Sequence, residues 1–279
     1  MRILVTGAKG QLGADIVNTL SAKGIEHLGT DIEDFNIADK DAVLDFVKTY
    51  APDAAIHCAA YTAVDAAEDN ADWCMRTNAE GTENIARACR DIDAEMIYIS
   101  TDYVFSGEGD SPYETDSNRA PLSIYGKSKL IGEDSVMRNL DRHYIVRTSW
   151  VFGENGDNFV ETMLKLSKDR DEINVVDDQI GSPTYTVDLA ILLCQMVQSG
   201  KYGVYHATNE GFCSWAEFAC EIMKTSGSAC RINQISTEQY PTKAVRPRNS
   251  RMSKVSLDNA GFARLPEWKD ALGRYFCVK

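Results

Sequence analysis

The sequence predicts an α/β fold, a doubly wound parallel sheet followed by a smaller C-terminal substrate-binding lobe. Three observations carry that expectation. An apolar strand at residues 2–6 runs through the turn Gly7-Ala8-Lys9-Gly10-Gln11-Leu12-Gly13 into a segment with Ile16, Val17 and Leu20 at helical spacing. In all, five short apolar runs alternate with helical segments as far as Trp150, the order that builds a parallel sheet covered by helices. Beyond Trp150 the strict alternation fades. Residues 1–150 are therefore expected to form a dinucleotide-binding Rossmann domain. Residues 151–279 are expected to form mainly a second lobe, with segments at about 172–200 returning to the first sheet.

Strand, glycine turn and helix in that order make a phosphate-binding unit: glycines let the backbone approach an anion, and the helix N-terminus faces it. Gly7, Gly10, Gln11, Leu12 and Gly13 are the candidates for this cradle. The strand at about 25–30 ends at Asp31, where a carboxylate can hydrogen-bond an adenosine ribose. An acid there disfavours a 2′-phosphate, whereas Lys9 inside the turn favours one, so NADH and NADPH both stay open. A helix over 39–50 starts from a cap near Asp39, and Pro52 introduces the strand 54–58. After it, Ala59-Ala60-Tyr61-Thr62-Ala63-Val64-Asp65 puts small residues and hydroxyls where open α/β sheets place their ligands; a plain strand-to-helix connection capped by Asp65 is the alternative. Trp73 to Arg90 is expected to be a long helix whose inward polar residue, Asn78, bonds to neighbouring backbone.

The apolar run Met96-Ile97-Tyr98-Ile99 closes in Ser100-Thr101-Asp102-Tyr103-Val104-Phe105, so hydroxyls emerge at the end of a buried strand. The loop 106–119, rich in Gly, Asp, Ser and Pro, is long enough to close over a ligand. Tyr125 and Lys129 follow, four apart and hence on one face of a helix that runs to about Leu140. A lysine ammonium beside a phenol favours the phenolate and would lower the Tyr125 pKa. Such a tyrosine can give or take a proton while the Thr101 hydroxyl bonds the same substrate oxygen. A strand over 144–149 leads to Trp150. Further helices are expected over 158–166, 185–198 and 214–225, and short strands over 173–176 and 204–207. Arg246-Pro247-Arg248-Asn249-Ser250-Arg251 reads as a rigid basic loop suited to a diphosphate, or else to surface ion pairs.

A formal net charge of -13 over 279 residues supplies no general basic field, which argues against nucleic acid as a partner. The 8 cysteines include no Cys-x-x-Cys pair and the 4 histidines lack ligand spacing, so free thiols and no intrinsic metal are expected. No apolar run reaches the roughly 18 to 20 residues of a membrane helix, and the sequence starts almost directly with a strand. No membrane association and a cytoplasmic location are the expectation.

Taken together, the N-terminal glycine turn, Thr101 after a strand and Tyr125-Gly126-Lys127-Ser128-Lys129 resemble the extended short-chain dehydrogenase/reductase family. Within it, Arg147-Thr148-Ser149-Trp150, Gly181-Ser182-Pro183-Thr184 and Arg246-Pro247-x-Asn249-Ser250 are similar to the motifs of its nucleotide-sugar reductases. The resemblance implies reduction, by NADPH or NADH, of the 4-keto group of dTDP-4-dehydro-6-deoxy-L-mannose to dTDP-L-rhamnose, a precursor of cell-surface polysaccharide. It implies Tyr125 as proton donor, Lys129 as the group that tunes Tyr125 and holds the nicotinamide ribose, and Thr101 as the residue that positions the carbonyl. Asp31, Asn36 and Ile37 would lie near the adenosine and Ala59, Ala60 and Tyr61 along the cofactor. Thr62, Val64, Asp102, Tyr103 and Trp150 would touch the sugar, and Arg246 the diphosphate. Some members form a magnesium-linked dimer through C-terminal glutamates; none stands around Thr184-Tyr185-Thr186-Val187-Asp188, so a monomer is preferred over a homodimer. A dehydratase or epimerase of the same superfamily is an alternative, disfavoured because Tyr103 follows Asp102 where a dehydratase carries glutamate. A non-catalytic subunit, like the regulatory subunit of methionine adenosyltransferase, is the other.

Overall fold

In the computed structural model, which describes residues 1–279, five strands build the first half of the chain: β1 (Arg2–Thr6), β2 (Glu26–Thr30), β3 (Ala54–His57), β4 (Glu95–Thr101) and β5 (His143–Thr148). The strand Gly203–His206 pairs with β5 and completes a six-stranded sheet, ordered β2, β1, β3, β4, β5, Gly203–His206, with every neighbouring pair parallel. The central strands read as apolar runs because both faces are covered. Ile3, Val5, Ile97, Tyr144 and Val146 pack on helix α1 (Gln11–Ala22) and on the helix Thr186–Met196. Leu4, Ala55, Met96, Tyr98 and Ile145 pack on the helices Lys40–Tyr50, Gly81–Asp91 and Ile124–Asn139. The chain moves outward from β1 to β2 and then returns to the other side of β1, so a crevice opens past the strand ends where this reversal occurs.

Local signals set several boundaries. Asp39 caps its helix by accepting hydrogen bonds from Asp41 N and Ala42 N, each at 3.1 Å. The helix expected over 73–90 is present, interrupted by one wide turn at Arg76–Glu80, a bulge of the kind found beside functional sites. Asn78 sits in that turn and clamps the β3 exit: its Oδ1 accepts from Tyr61 N at 2.7 Å and its Nδ2 donates to Tyr61 O at 3.0 Å.

The return to the sheet begins later than the sequence suggests. Glu172–Val176 pairs with Arg231–Ile235 outside the six-stranded sheet, and its burial alternates, with Glu172 and Asn174 exposed and Ile173 and Val175 buried. Such alternation marks a strand with one wet face, not a fully covered parallel strand. The elements that come back are the helix Thr186–Met196, packed on α1, and Gly203–His206. The helices Phe159–Leu166, Trp215–Ser226 and Trp268–Cys277 close a separate core around Phe152, Phe218 and Tyr275. All eight cysteines are free thiols, and no helix is long and apolar enough to cross a membrane.

Candidate active site

A cavity of about 810 Å³ runs along the C-terminal ends of the strands from β2 to β5. Every residue to which the resemblance assigns a cofactor, catalytic or substrate role lines it. At its β1 end, Gly7 has φ +68°, and a Cβ there would stand 2.7 Å from Ala59 N. A Cβ on Gly13 would stand 2.0 Å from Gly7 O. Only hydrogens fit at these two positions. Helix α1 begins after Gly10 with no side chain capping its first amides, which leaves them for an anion. The cradle therefore suits the pyrophosphate of a dinucleotide. Gln11 and Leu12 form its first helical turn, and Ala59, Ala60 and Tyr61 make the facing wall.

At the β2 end, Asp31 accepts from Lys9 N at 3.0 Å and from Ile32 N at 2.8 Å. The Lys9 ammonium turns outward to Glu33 at 3.0 Å. Asn36 Oδ1 accepts from Ala38 N at 3.0 Å, and Ile37 lies so close to Gly81 that a Cβ there would meet it at 2.8 Å. The Asp31 carboxylate is thus tied to backbone amides and the Lys9 ammonium to Glu33, so neither is committed for or against a 2′-phosphate, and both cofactors stay compatible with this end of the cavity.

The opposite end gathers the titratable groups. Thr101, Tyr125 and Lys129 come together there, Tyr125 on the first turn of the helix Ile124–Asn139, which Ser123 caps through Gly126 N at 3.1 Å. Burial pulls the Lys129 ammonium down to about 8, opposed by the Glu133 carboxylate, and its Nζ lies 4.2 Å from the Tyr98 ring centre. The sequence suggested a lowered phenol at Tyr125. Burial instead pushes it well above its ordinary value, with the Thr101 hydroxyl opposing and the Asp102 carboxylate adding to the rise, because desolvation penalises the phenolate.

Asp102 lines the cavity but is only 3% exposed: it accepts from Thr101 Oγ1 at 2.9 Å and from Ser250 Oγ. Burial raises its carboxyl to about 6. Against an ionised Asp102 the Thr101 hydroxyl donates, and its oxygen accepts from Tyr103 N at 3.2 Å, so in this geometry one lone pair is left for the cavity. Both Asp102 oxygens are thus engaged by protein, whereas the resemblance implied a sugar contact. Tyr103 meets the Tyr125 ring edge-on at 5.5 Å between centroids, and burial raises its phenol to about 12.

Arg246 is the only member of the basic loop in the cavity; Arg248 pairs with Glu238 at the surface. Arg246 is held by Asp65 at 2.5 Å and reaches the Tyr103 hydroxyl at 3.4 Å, so Asp65 steers an arginine rather than merely capping a helix. Thr62 and Val64 line the same wall. The loop 106–119 does not line the cavity. Asn249 Nδ2 donates to Ser111 O at 2.8 Å and Tyr113 N donates to Arg251 O at 2.9 Å, so the loop buttresses the Arg246 segment from behind.

Three features escaped sequence reasoning. Trp215 stacks on Trp150 with ring centroids 3.7 Å apart, and Trp150 stands at φ +49°, a region costly for a bulky residue. Trp73 lines the mouth of the cavity and is 47% exposed. Glu133, fully buried one turn beyond Lys129, accepts two bonds from Arg147 at 2.8 Å each and one from Ser100 Oγ at 2.6 Å, bracing β4 and β5 beneath the site. Each depends on residues far apart in the chain.

The RmlD substrate binding domain model matches residues 1–278. A spore coat polysaccharide biosynthesis protein of Bacillus subtilis is 43% identical over 98% of this chain and 96% of its own. The crystal structure of a dTDP-4-dehydrorhamnose reductase from Clostridium acetobutylicum superposes with a TM-score of 0.98 at 41% identity, covering 100% of this chain and 99% of that one. A dTDP-4-dehydrorhamnose reductase from Bacillus anthracis, solved in complex with NADP, superposes with a TM-score of 0.97 at 40% identity and the same coverage. With its whole length matched in sequence and in fold, this chain belongs to the RmlD substrate-binding-domain family.

Proposed function

We propose that this chain reduces the 4-keto group of dTDP-4-dehydro-6-deoxy-L-mannose to give dTDP-L-rhamnose, using NADPH or NADH. The observation that carries the reading is the convergence of Thr101, Tyr125 and Lys129 on the cavity that also holds the glycine cradle. The full-length likeness to dTDP-4-dehydrorhamnose reductases, one of them solved with NADP, supports it. Gly7, Gly10, Gln11, Leu12 and Gly13 hold the pyrophosphate, Asp31, Asn36 and Ile37 the adenosine end, and Ala59, Ala60 and Tyr61 the middle. When bound, the nicotinamide supplies the hydride.

The chain's own residues manage the proton and the substrate. Tyr125 carries its proton at neutral pH and delivers it to the sugar oxygen. Lys129, mostly charged at that pH, offsets the phenolate left behind and binds the nicotinamide ribose. Thr101 orients the reacting carbonyl by turning its proton from Asp102 to the substrate oxygen. Trp150 covers the sugar with Thr62, Val64 and Tyr103 around it, and Arg246 takes the diphosphate. Asp102 acts through Thr101. Tyr103 supplies no carboxylate for water elimination, which favours reduction over dehydration. The monomer is the working unit in this reading, and sedimentation of the purified chain tests that. The deciding assay follows NADPH or NADH absorbance with enzymatically made dTDP-4-dehydrorhamnose: oxidation with dTDP-rhamnose formed supports the reading, and cofactor binding without oxidation over a panel of keto sugars rejects it.

A further inference from the structure

Five buried side-chain polar atoms in the molecule lack a hydrogen-bond partner, and of these the Thr148 Oγ1 alone belongs to a residue lining the cavity. Thr148 is 5% exposed. A hydroxyl sealed from water and bonded to nothing is unfavourable, and in a binding cavity it calls for a ligand group.

The sheet fixes which group. Thr148 ends β5 directly opposite Thr101 in register, and register partners in a parallel ladder project to one face. Stepping back by twos, Ile97 and Val146 lie in the core that contains Leu12 and Ile16 of α1, so Thr148 shares the face of the glycine cradle. On the other face, Ser100 and Arg147 are already spent on Glu133. From β2 to β5 is four strand spacings, roughly 19 Å at ~4.8 Å each. A dinucleotide with its adenosine at Asp31 and its pyrophosphate over β1 thus brings its nicotinamide to β4 and β5. The neutral hydrogen-bonding group on that ring is the carboxamide.

We propose that the Thr148 hydroxyl is the hydrogen-bond partner of the nicotinamide carboxamide and fixes the rotation of the ring beside Thr101 and Tyr125. This rests on the dinucleotide reading above. Thr148→Val keeps the shape and removes the hydroxyl; Thr148→Ser keeps the hydroxyl. Equilibrium titrations use whichever of NADPH or NADH the wild type binds more tightly, together with the matching fragment that lacks nicotinamide, 2′-phospho-ADP-ribose or ADP-ribose. The expected result is a weakening of about 3- to 10-fold for the whole cofactor in Thr148→Val, the worth of one neutral hydrogen bond. Fragment affinity stays unchanged, and Thr148→Ser binds as the wild type does. Unchanged cofactor affinity in Thr148→Val overturns the proposal. Equal weakening of cofactor and fragment does so too, as does weaker dTDP-rhamnose binding with cofactor binding intact. A wild type that binds neither NADPH nor NADH sinks the dinucleotide reading itself, an outcome distinct from these.

Discussion

Replacing Asp102 by Asn should make the folding stability of the wild type and the variant diverge between pH 7 and pH 5. The carboxylate is buried and rises from its ordinary 3.8 to about 6. A folded-state value above the unfolded one means that the folded protein binds more protons between those two pH values, so stability falls as pH rises through the window. Over its whole range that rise corresponds to roughly 3 kcal/mol. Between pH 5 and pH 7 the linkage amounts to roughly 1 kcal/mol. Asn keeps an oxygen for the Thr101 hydroxyl and removes the titration. Urea unfolding of both proteins at pH 5 and pH 7 measures the effect, because every other titrating group cancels in the comparison. The wild type should gain roughly 1 kcal/mol over Asp102→Asn on going to pH 5. A constant difference, or a wild type that loses ground on acidification, would refute the assignment of a charge held at a cost beside Thr101.

Tyr125→Phe should lower kcat by about 10²- to 10⁴-fold, the range for losing a positioned proton donor, with cofactor affinity within a few-fold of wild type; steady-state kinetics and a cofactor titration check both parts. Gly13→Ala places a Cβ 2.0 Å from the Gly7 carbonyl oxygen, which is backbone and cannot swing aside. It should destabilise by about 1–3 kcal/mol and abolish most cofactor binding, seen by urea unfolding and titration. Glu133→Ala leaves the Arg147 guanidinium, 2% exposed, without its bidentate partner. A loss of about 3–5 kcal/mol in urea unfolding is expected, and a loss under 1 kcal/mol would mean that the other partners of Arg147, Thr115 O and His206, suffice.

The sheet was legible because its information is local. An apolar run ending in a glycine turn, an Asp39 cap or a Ser123 cap acts within a few residues, and the order of such signals dictates a parallel sheet. The cofactor wall was legible for the same reason, since each strand end contributes consecutive residues such as Ala59, Ala60 and Tyr61. The second lobe was harder. Whether Ile173 and Val175 join the central sheet or pair with Arg231–Ile235 depends on a partner about 60 residues away, and a short alternating run fits either until that partner is known. Trp150 with Trp215 and Asp65 with Arg246 are the same problem at the site. Tyr125 fails differently. Spacing places Lys129 one turn away but says nothing of burial, and burial decides the sign of the shift.

That sign suits the direction of the proposed reaction better than the lowered phenol did. Hydride arriving at a carbonyl carbon leaves an alkoxide, and an alkoxide needs a donor that still holds its proton when the substrate binds. A phenol kept above its ordinary value by burial is fully protonated at pH 7. Its weakness is the phenolate that remains, and here Lys129 matters. At about 8 the ammonium is still mostly charged at neutral pH, and it lines the same cavity as the phenol. The buried Glu133 one turn along the helix opposes the loss of that charge, although Arg147 and Ser100 bind its oxygens. The carboxylate that braces β4 and β5 therefore also helps to keep the lysine cationic, joining the architecture beneath the strands to the proton chemistry above them.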